Sequence, residues 1–577
     1  MRKEIIAVLL SITLLVGTLT GCGKSTSDTA TSAAGITENT EAKAWTDGAA
    51  EAPAEMYEEL AEAASESKYY KEAATEEEKT VKGESYLDGC YDFDPDFKQR
   101  ENNEQYSEWE EKGYSPVMKE PVSTFSADVD TASYSNLRRL IREGYTIDEL
   151  PENAVRIEEM LNYFIYDYKE PEGSEPFGIT AKIGKCPWNQ DAELVMLGLK
   201  TQDIDYEDAP ASNLVFLLDV SGSMYADDKL PLLQEAFCLL ADNLTEKDRV
   251  SIVTYAGDDT VVLEGVSGDK TRTIKKALMG LEAGGGTHGS KGIETAYALA
   301  EDNFIKGGNN RVILATDGDL NIGLTSEEEL EELITEKKES GIFLSVLGFG
   351  TGNIKDNKME TLADKGNGNY AYIDSLREAN KVLVEEMSAT LLTICKDVKL
   401  QVEFNPAVVS DYRLIGYENR ALNKEDFDDD TKDAGEIGAG HSVTALYEVI
   451  LKEPLSGLSD EDINDLKYSD EYRKEQGKDS LENSATEKEW FTLSIRYKKP
   501  AEEESSLLDY PIGFENYMEN PDDDFQFAAA VAEFGLLASH SENPEDASVK
   551  NVKKILKSID LDDEYKEEFL ELVKEVE

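Results

Sequence analysis

Leu214-Val215-Phe216-Leu217-Leu218-Asp219-Val220-Ser221-Gly222-Ser223-Met224 is a short continuous apolar run that passes directly into an Asp-x-Ser-x-Ser string. Unbroken runs of this length suit parallel strands covered on both faces. Three more such runs occupy residues 250–255, 312–315 and 342–347, and between them residues 229–244, 269–279, 290–304 and 326–340 have the pattern of helices of ordinary length. Alternation of this kind over residues 213–390 predicts an α/β fold: a doubly wound, mostly parallel sheet with right-handed crossovers.

In such a sheet, ligand sites lie outside the carboxyl ends of the strands. Asp219, Ser221 and Ser223 follow the first strand, Gly284-Gly285-Gly286-Thr287 opens the helix near 290, and Ala315-Thr316-Asp317-Gly318 ends the strand beginning near Arg311. All three loops should therefore meet at one edge. An Asp-x-Ser-x-Ser string alone also serves as a cap or turn, but Asp219, Ser221, Ser223, Thr287 and Asp317 together offer only oxygen donors. That set suits a hard divalent cation such as Mg2+, with Mn2+ or Ca2+ as substitutes, and disfavours zinc. Three of the five are neutral hydroxyls, so two carboxylates at most balance a dication, which stays electrophilic. Glycines 222 and 284–286 allow the tight backbone paths that bring the oxygens together.

The order, spacing and placement of these residues resemble the metal-ion-dependent adhesion site of the von Willebrand factor A (VWA) family. The resemblance implies a Rossmann-like sheet, with Ser221, Ser223 and Thr287 binding the metal directly or nearly so and Asp219 and Asp317 often acting through water. It also implies that an open coordination position takes a carboxylate from a protein partner.

The flanks read differently. Asp130 to Ile141 and Val155 to Phe164 carry helical periodicity, and residues 179–183 and 194–199 look like strands. Beyond Thr390, residues 398–404, 412–417, 443–451 and 491–497 alternate as antiparallel strands do, separated by the acidic loops 424–433 and 456–489, and 525–540 and 548–575 close the chain as helices. Strand-type segments on both sides of the α/β unit suggest that it is inserted between flanking β-rich and helical segments, with 175–205 and 397–500 sharing a sheet domain. Phe125-Ser126-Ala127-Asp128-Val129-Asp130-Thr131, Arg156-Ile157-Glu158-Glu159-Met160-Leu161-Asn162-Tyr163-Phe164, Tyr412-Arg413-Leu414-Ile415-Gly416-Tyr417-Glu418-Asn419-Arg420 and Phe527-Ala528-Ala529-Ala530-Val531-Ala532-Glu533-Phe534 resemble the YfbK-type VWA lipoproteins.

The N-terminus has Arg2 and Lys3 before an apolar stretch too short to span a membrane, as in an export signal. Leu19-Thr20-Gly21-Cys22 resembles a bacterial lipobox, which implies lipidation of Cys22 and an extracytoplasmic, membrane-anchored chain. Residues 23–119 are poor in branched apolar side chains and rich in Ala, Glu, Ser, Thr and Lys, the composition of a flexible tether with a root-mean-square span of roughly 50 to 60 Å. The expected organisation is a signal peptide at 1–21, an acidic disordered tether at 22–119, an N-terminal family region at 120–208, a VWA domain at 209–392 and a C-terminal β-rich region ending in helices at 393–577.

A balance of 58 basic to 121 acidic residues gives a formal net charge of −63, which disfavours nucleic acid as a ligand. Cys90, Cys186, Cys238 and Cys395 match no metal-binding spacing, and Cys238 reads as a buried free thiol. His288 beside Thr287 reads as a loop histidine, so no catalytic group is assigned and the chain is expected not to be an enzyme. A hydrolase using a metal-bound water with His288 as base, and a structural envelope scaffold, are the alternatives. The Asp128-Val129-Asp130-Thr131 string reads as a helix cap, and Asp426, Asp428 and Asp430 as a solvated acidic run.

Overall fold

The computed structural model describes residues 103–577 except 128–129, 174, 205–208, 257, 286–291, 319–326, 453–488, 501, 503 and 577. The signal peptide, Cys22, Cys90, Thr287, His288 and nearly all of the 456–489 loop lie outside the described residues.

β1 (Ser115–Pro116) and β2 (Val122–Ser126) precede helices Ala132–Arg142 and Ile157–Asn162, after which β3 (Phe177–Lys185) and β4 (Glu193–Thr201) pair antiparallel. The α/β unit follows: β5 (Ser212–Asp219), β6 (Arg249–Tyr255), β7 (Asp259–Ser267), β8 (Asn309–Thr316), β9 (Phe343–Phe349) and β10 (Tyr370–Ile373). Its sheet order is β10-β9-β8-β5-β6-β7, parallel except for β7 at one edge. All eight residues of β5 are buried, which is why its sequence shows no alternation. Helices Leu230–Asp242, Thr271–Leu278, Gly292–Asp302, Glu327–Glu339 and Asp356–Lys365 connect the strands. The doubly wound, mostly parallel sheet is as expected.

The chain ends with β11 (Thr393–Phe404), β12 (Val409–Ile415), β13 (Gly435–Gly438), β14 (Ser442–Leu451), β15 (Glu489–Lys498) and β16 (Ser506–Gly513), then helices Asp523–Ala538, Val549–Leu556 and Glu564–Glu575. One sheet runs β1-β12-β14-β4-β3; in the other, β13-β11-β15-β16 is joined by β2 alongside β11. Each therefore mixes strands from before and after the α/β unit, which makes that unit an insertion.

Alternation along β4 sorts its side chains between two cores. Val195, Leu197 and Leu199 meet Val402, Phe404, Leu493 and Ile495 of the second sheet, while Leu194 and Met196 face the helices, against Tyr163, Phe527 and Phe569. The first sheet is thus covered on both faces. The α/β unit is tied to its flanks by buried charge. Arg138 bridges Asp374, Glu378 and Glu568, and Arg156 bridges Glu159 and Asp356.

Several expectations need correction. The last part of the 22–119 tether, from residue 103, is packed: Glu104 pairs with Arg139 at 3.1 Å, Gln105 bridges Lys355, Val117 is buried and β1 pairs with β12. Ion pairing, strand addition and the packing of Tyr106 and Val117 on the two cores order this stretch. The 548–575 helix is two helices, because the Asp563 side chain accepts from the backbone N–H groups of Tyr565 and Lys566 and starts a new one. The Asp128–Thr131 string does lead into a helix, whose N-cap is Thr131 with no side-chain cap hydrogen bond; the Asp130 oxygens accept from Tyr370 N at 2.8 Å and Arg420 Nη2 at 3.3 Å, across to β10 and the loop after β12. Cys186, Cys238 and Cys395 are buried free thiols. The carboxylates of Asp426 and Asp429 are solvated, but the backbone carbonyls of both residues accept from the buried Lys399 ammonium.

Candidate functional site

The chain leaves β5 toward β6 on one side, whereas β8 lies on the other, so the loops after β5 and β8 diverge at a topological switch point. Crevices of α/β sheets open at such a point. Asp219 is the last residue of β5, fully buried, and Asp317 directly follows β8, also buried.

The Asp219 carboxylate is held from both sides. Its Oδ1 accepts from Ser221 N at 2.8 Å and its Oδ2 from Thr316 Oγ1 at 3.2 Å. The first of these bonds turns the chain back over the strand end and starts the single 3-10 turn Gly222–Tyr225, leaving the hydroxyl oxygens of Ser221 and Ser223 2.9 Å apart. Ser221 is buried and Ser223 exposed, so the pair spans the boundary between protein and solvent. Gly284 N donates to Val220 O at 2.9 Å and draws the glycine-rich loop against this turn. Gly318, at φ +99°, has no room for a Cβ, which would lie 2.7 Å from Asn353 O and Lys355 N. That close approach seats the 350–355 loop beside Asp317.

Burial pushes the Asp219 carboxyl up to about 6, and repulsion from Asp317 adds to this against the hydrogen bonds from Ser221 and Thr316. Two acids crowded at one buried strand edge are relieved by a cation. One cation is already present: Lys229 Nζ donates to Asp317 Oδ2 at 2.8 Å. The sequence reading missed Lys229, whose only local signal is a lysine just before a helix start.

Asp219, Ser221, Ser223 and Asp317 thus lie at one sheet edge, and Thr287 falls outside the described residues. Among the described residues no group of three or more His, Cys, Asp or Glu side chains is placed to hold a metal. The oxygen-only set, with hydroxyls outnumbering carboxylates once Thr287 is included, fits a hard cation that keeps water or an outside ligand. The exposed ring of Tyr225 stands two residues beyond Ser223.

Family models match most of the described body. The von Willebrand factor type A domain matches residues 213–386, a model described as "von Willebrand factor" matches 100–196, and one described as "Uncharacterized protein YfbK, C-terminal" matches 389–577. "Uncharacterized protein YfbK" of Escherichia coli K12 is 40% identical over 478 residues, 81% of this chain and 80% of that protein. Human inter-alpha-trypsin inhibitor heavy chain H3 is 25% identical over 271 residues, 43% of this chain but 30% of that one. The solved structure of a von Willebrand factor type A protein from Catenulispora acidiphila has 13% identity and a TM-score of 0.39, over 71% of this chain and 91% of that one. Nearly the full length of the folded body is therefore shared with one relative, and the chain belongs to the YfbK family, with a von Willebrand factor type A domain at its centre.

Proposed function

We propose that this chain is a non-catalytic binding protein of the cell surface. Asp219, Ser221, Ser223, Thr287 and Asp317 would hold a divalent cation, Mg2+ in the first place with Mn2+ or Ca2+ as substitutes, and the cation's open position would take a carboxylate from a protein partner. Lipidation of Cys22 would anchor the chain to the membrane, and the stretch from there to the folded body would hold the site away from it. The observation that carries this reading is the meeting of Asp219, the Ser221–Ser223 hydroxyl pair and Asp317 at the switch point between β5 and β8.

The chain's own residues set the terms of binding. Hydrogen bonds from Ser221 N and Thr316 Oγ1 orient the Asp219 carboxylate, and both acids are buried. An electrophilic cation would supply the attraction for an anionic group. Crosslinking on intact cells with and without Mg2+, read by mass spectrometry, tests the proposal. Partners should be captured only with the metal, and Asp219→Ala or Thr287→Ala should abolish capture without unfolding the chain. Equal capture by folded variants in EDTA would defeat it.

A further inference from the structure

Lys229 is a cation that the Asp-x-Ser-x-Ser chemistry does not call for. Its ammonium donates to Asp317 Oδ2 at 2.8 Å, with the two side chains 10% and 1% exposed. Two features of the fold hold it there. Lys229 directly precedes helix Leu230–Asp242, and the partial positive charge of a helix N-terminus disfavours a lysine unless an anion offsets it; Asp317 does so. The lysine stem also runs through space that a side chain at residue 350 would fill. Gly350 has φ +77°, and a Cβ on it would lie 2.3 Å from Lys229 Cγ and 2.5 Å from Cε. A glycine there lets the stem pass to Asp317.

The charge count follows from these contacts. Asp219 and Asp317 bring two negative charges, which a dication alone would cancel. With the Lys229 ammonium in place, the loaded site keeps one positive charge. We infer that Lys229 is a resident counter-cation that shares Asp317 with the divalent ion, loosening the metal's hold while keeping the loaded site positive toward an anionic ligand. The inference rests on the cation reading proposed above and deepens it: the site is tuned to favour the anion at the expense of the metal.

The test is calorimetric titration of the purified chain with Mg2+ and with Mn2+, followed by titration of the Mn2+-loaded protein with acetate as the carboxylate probe. Lys229→Met removes the charge and keeps the stem, and should bind either metal at least about tenfold more tightly while binding acetate roughly tenfold more weakly. Lys229→Arg keeps the charge and should follow the wild type in both arms. Opposite shifts in the two arms are not what a loss of packing produces, since local loosening would weaken both. If Lys229→Met does not fold, Lys229→Gln gives the same readout. Metal binding by the folded neutral variant that is equal to or weaker than wild type overturns the inference and leaves the cation reading standing. Wild-type protein that takes up neither ion overturns the cation reading and the inference with it.

Discussion

Asp219 and Glu533 are both buried acids, and their surroundings give them opposite parts. Asp219 lies at a loop edge between two groups that donate to its oxygens, beside a second carboxylate. Glu533 is enclosed by helices, where Ser548 N and Asn551 Nδ2 donate to it at 3.0 and 2.8 Å, and burial pushes it up to about 7. A folded value above the ordinary 4.5 means that the native state holds this proton more tightly than the unfolded chain. Stability from Glu533 is therefore complete below about pH 4.5 and is lost as pH rises through about 7. Glu533→Gln should remove that dependence and leave the protein about 1–2 kcal/mol more stable than wild type at pH 8, with little difference at pH 4.5. Denaturant unfolding of both proteins across that range checks it. At this scale the sequence was most informative about contacts between residues close together in the chain, as in Asp219-x-Ser221-x-Ser223. It was silent on Lys229, because that role depends on a glycine 121 positions away, and on the partners of Asp130, since Tyr370 and Arg420 lie 240 and 290 positions away.

Elements were legible where a single force dominates. The parallel strands are apolar throughout because both faces are covered, and most helices between them fall within a few residues of their periodicity. What escaped were the edges: β7 is half-exposed at the antiparallel edge, and β16 alternates on an outer edge and contains Pro511. Such strands are held by backbone pairing and leave a weak apolar pattern. Helix Asp356–Lys365 was also missed, and it matters to the site because it directly follows the 350–355 loop. Arg156, just before helix Ile157–Asn162, holds Asp356, the first residue of helix Asp356–Lys365: Nη1 and Nη2 donate to Asp356 at 2.6 and 3.3 Å, and Nε donates to Glu159. All three side chains are buried. Arg156→Met should leave two buried carboxylates short of their partner and cost about 3–5 kcal/mol, a loss that urea unfolding would register as a lower midpoint. A change under about 1 kcal/mol would mean that the clamp is not needed.

For the whole molecule, the interleaved sheets give the architecture its logic. Strands made before and after the α/β unit share one sandwich, and arginines from the N-terminal helices reach the far end of the inserted unit. The insertion could be suspected from strand-type segments on both sides, but which strands pair was not readable, since register between distant segments leaves no local mark. The inserted unit carries the candidate edge at the ends of β5 and β8. Diffraction from crystals soaked in Mn2+, with anomalous difference maps, tests the central claim most directly. A peak within bonding distance of the Ser221 and Ser223 hydroxyl oxygens, lost in Asp219→Ala, is the result expected; a fully soaked crystal with no peak at that edge would contradict the account.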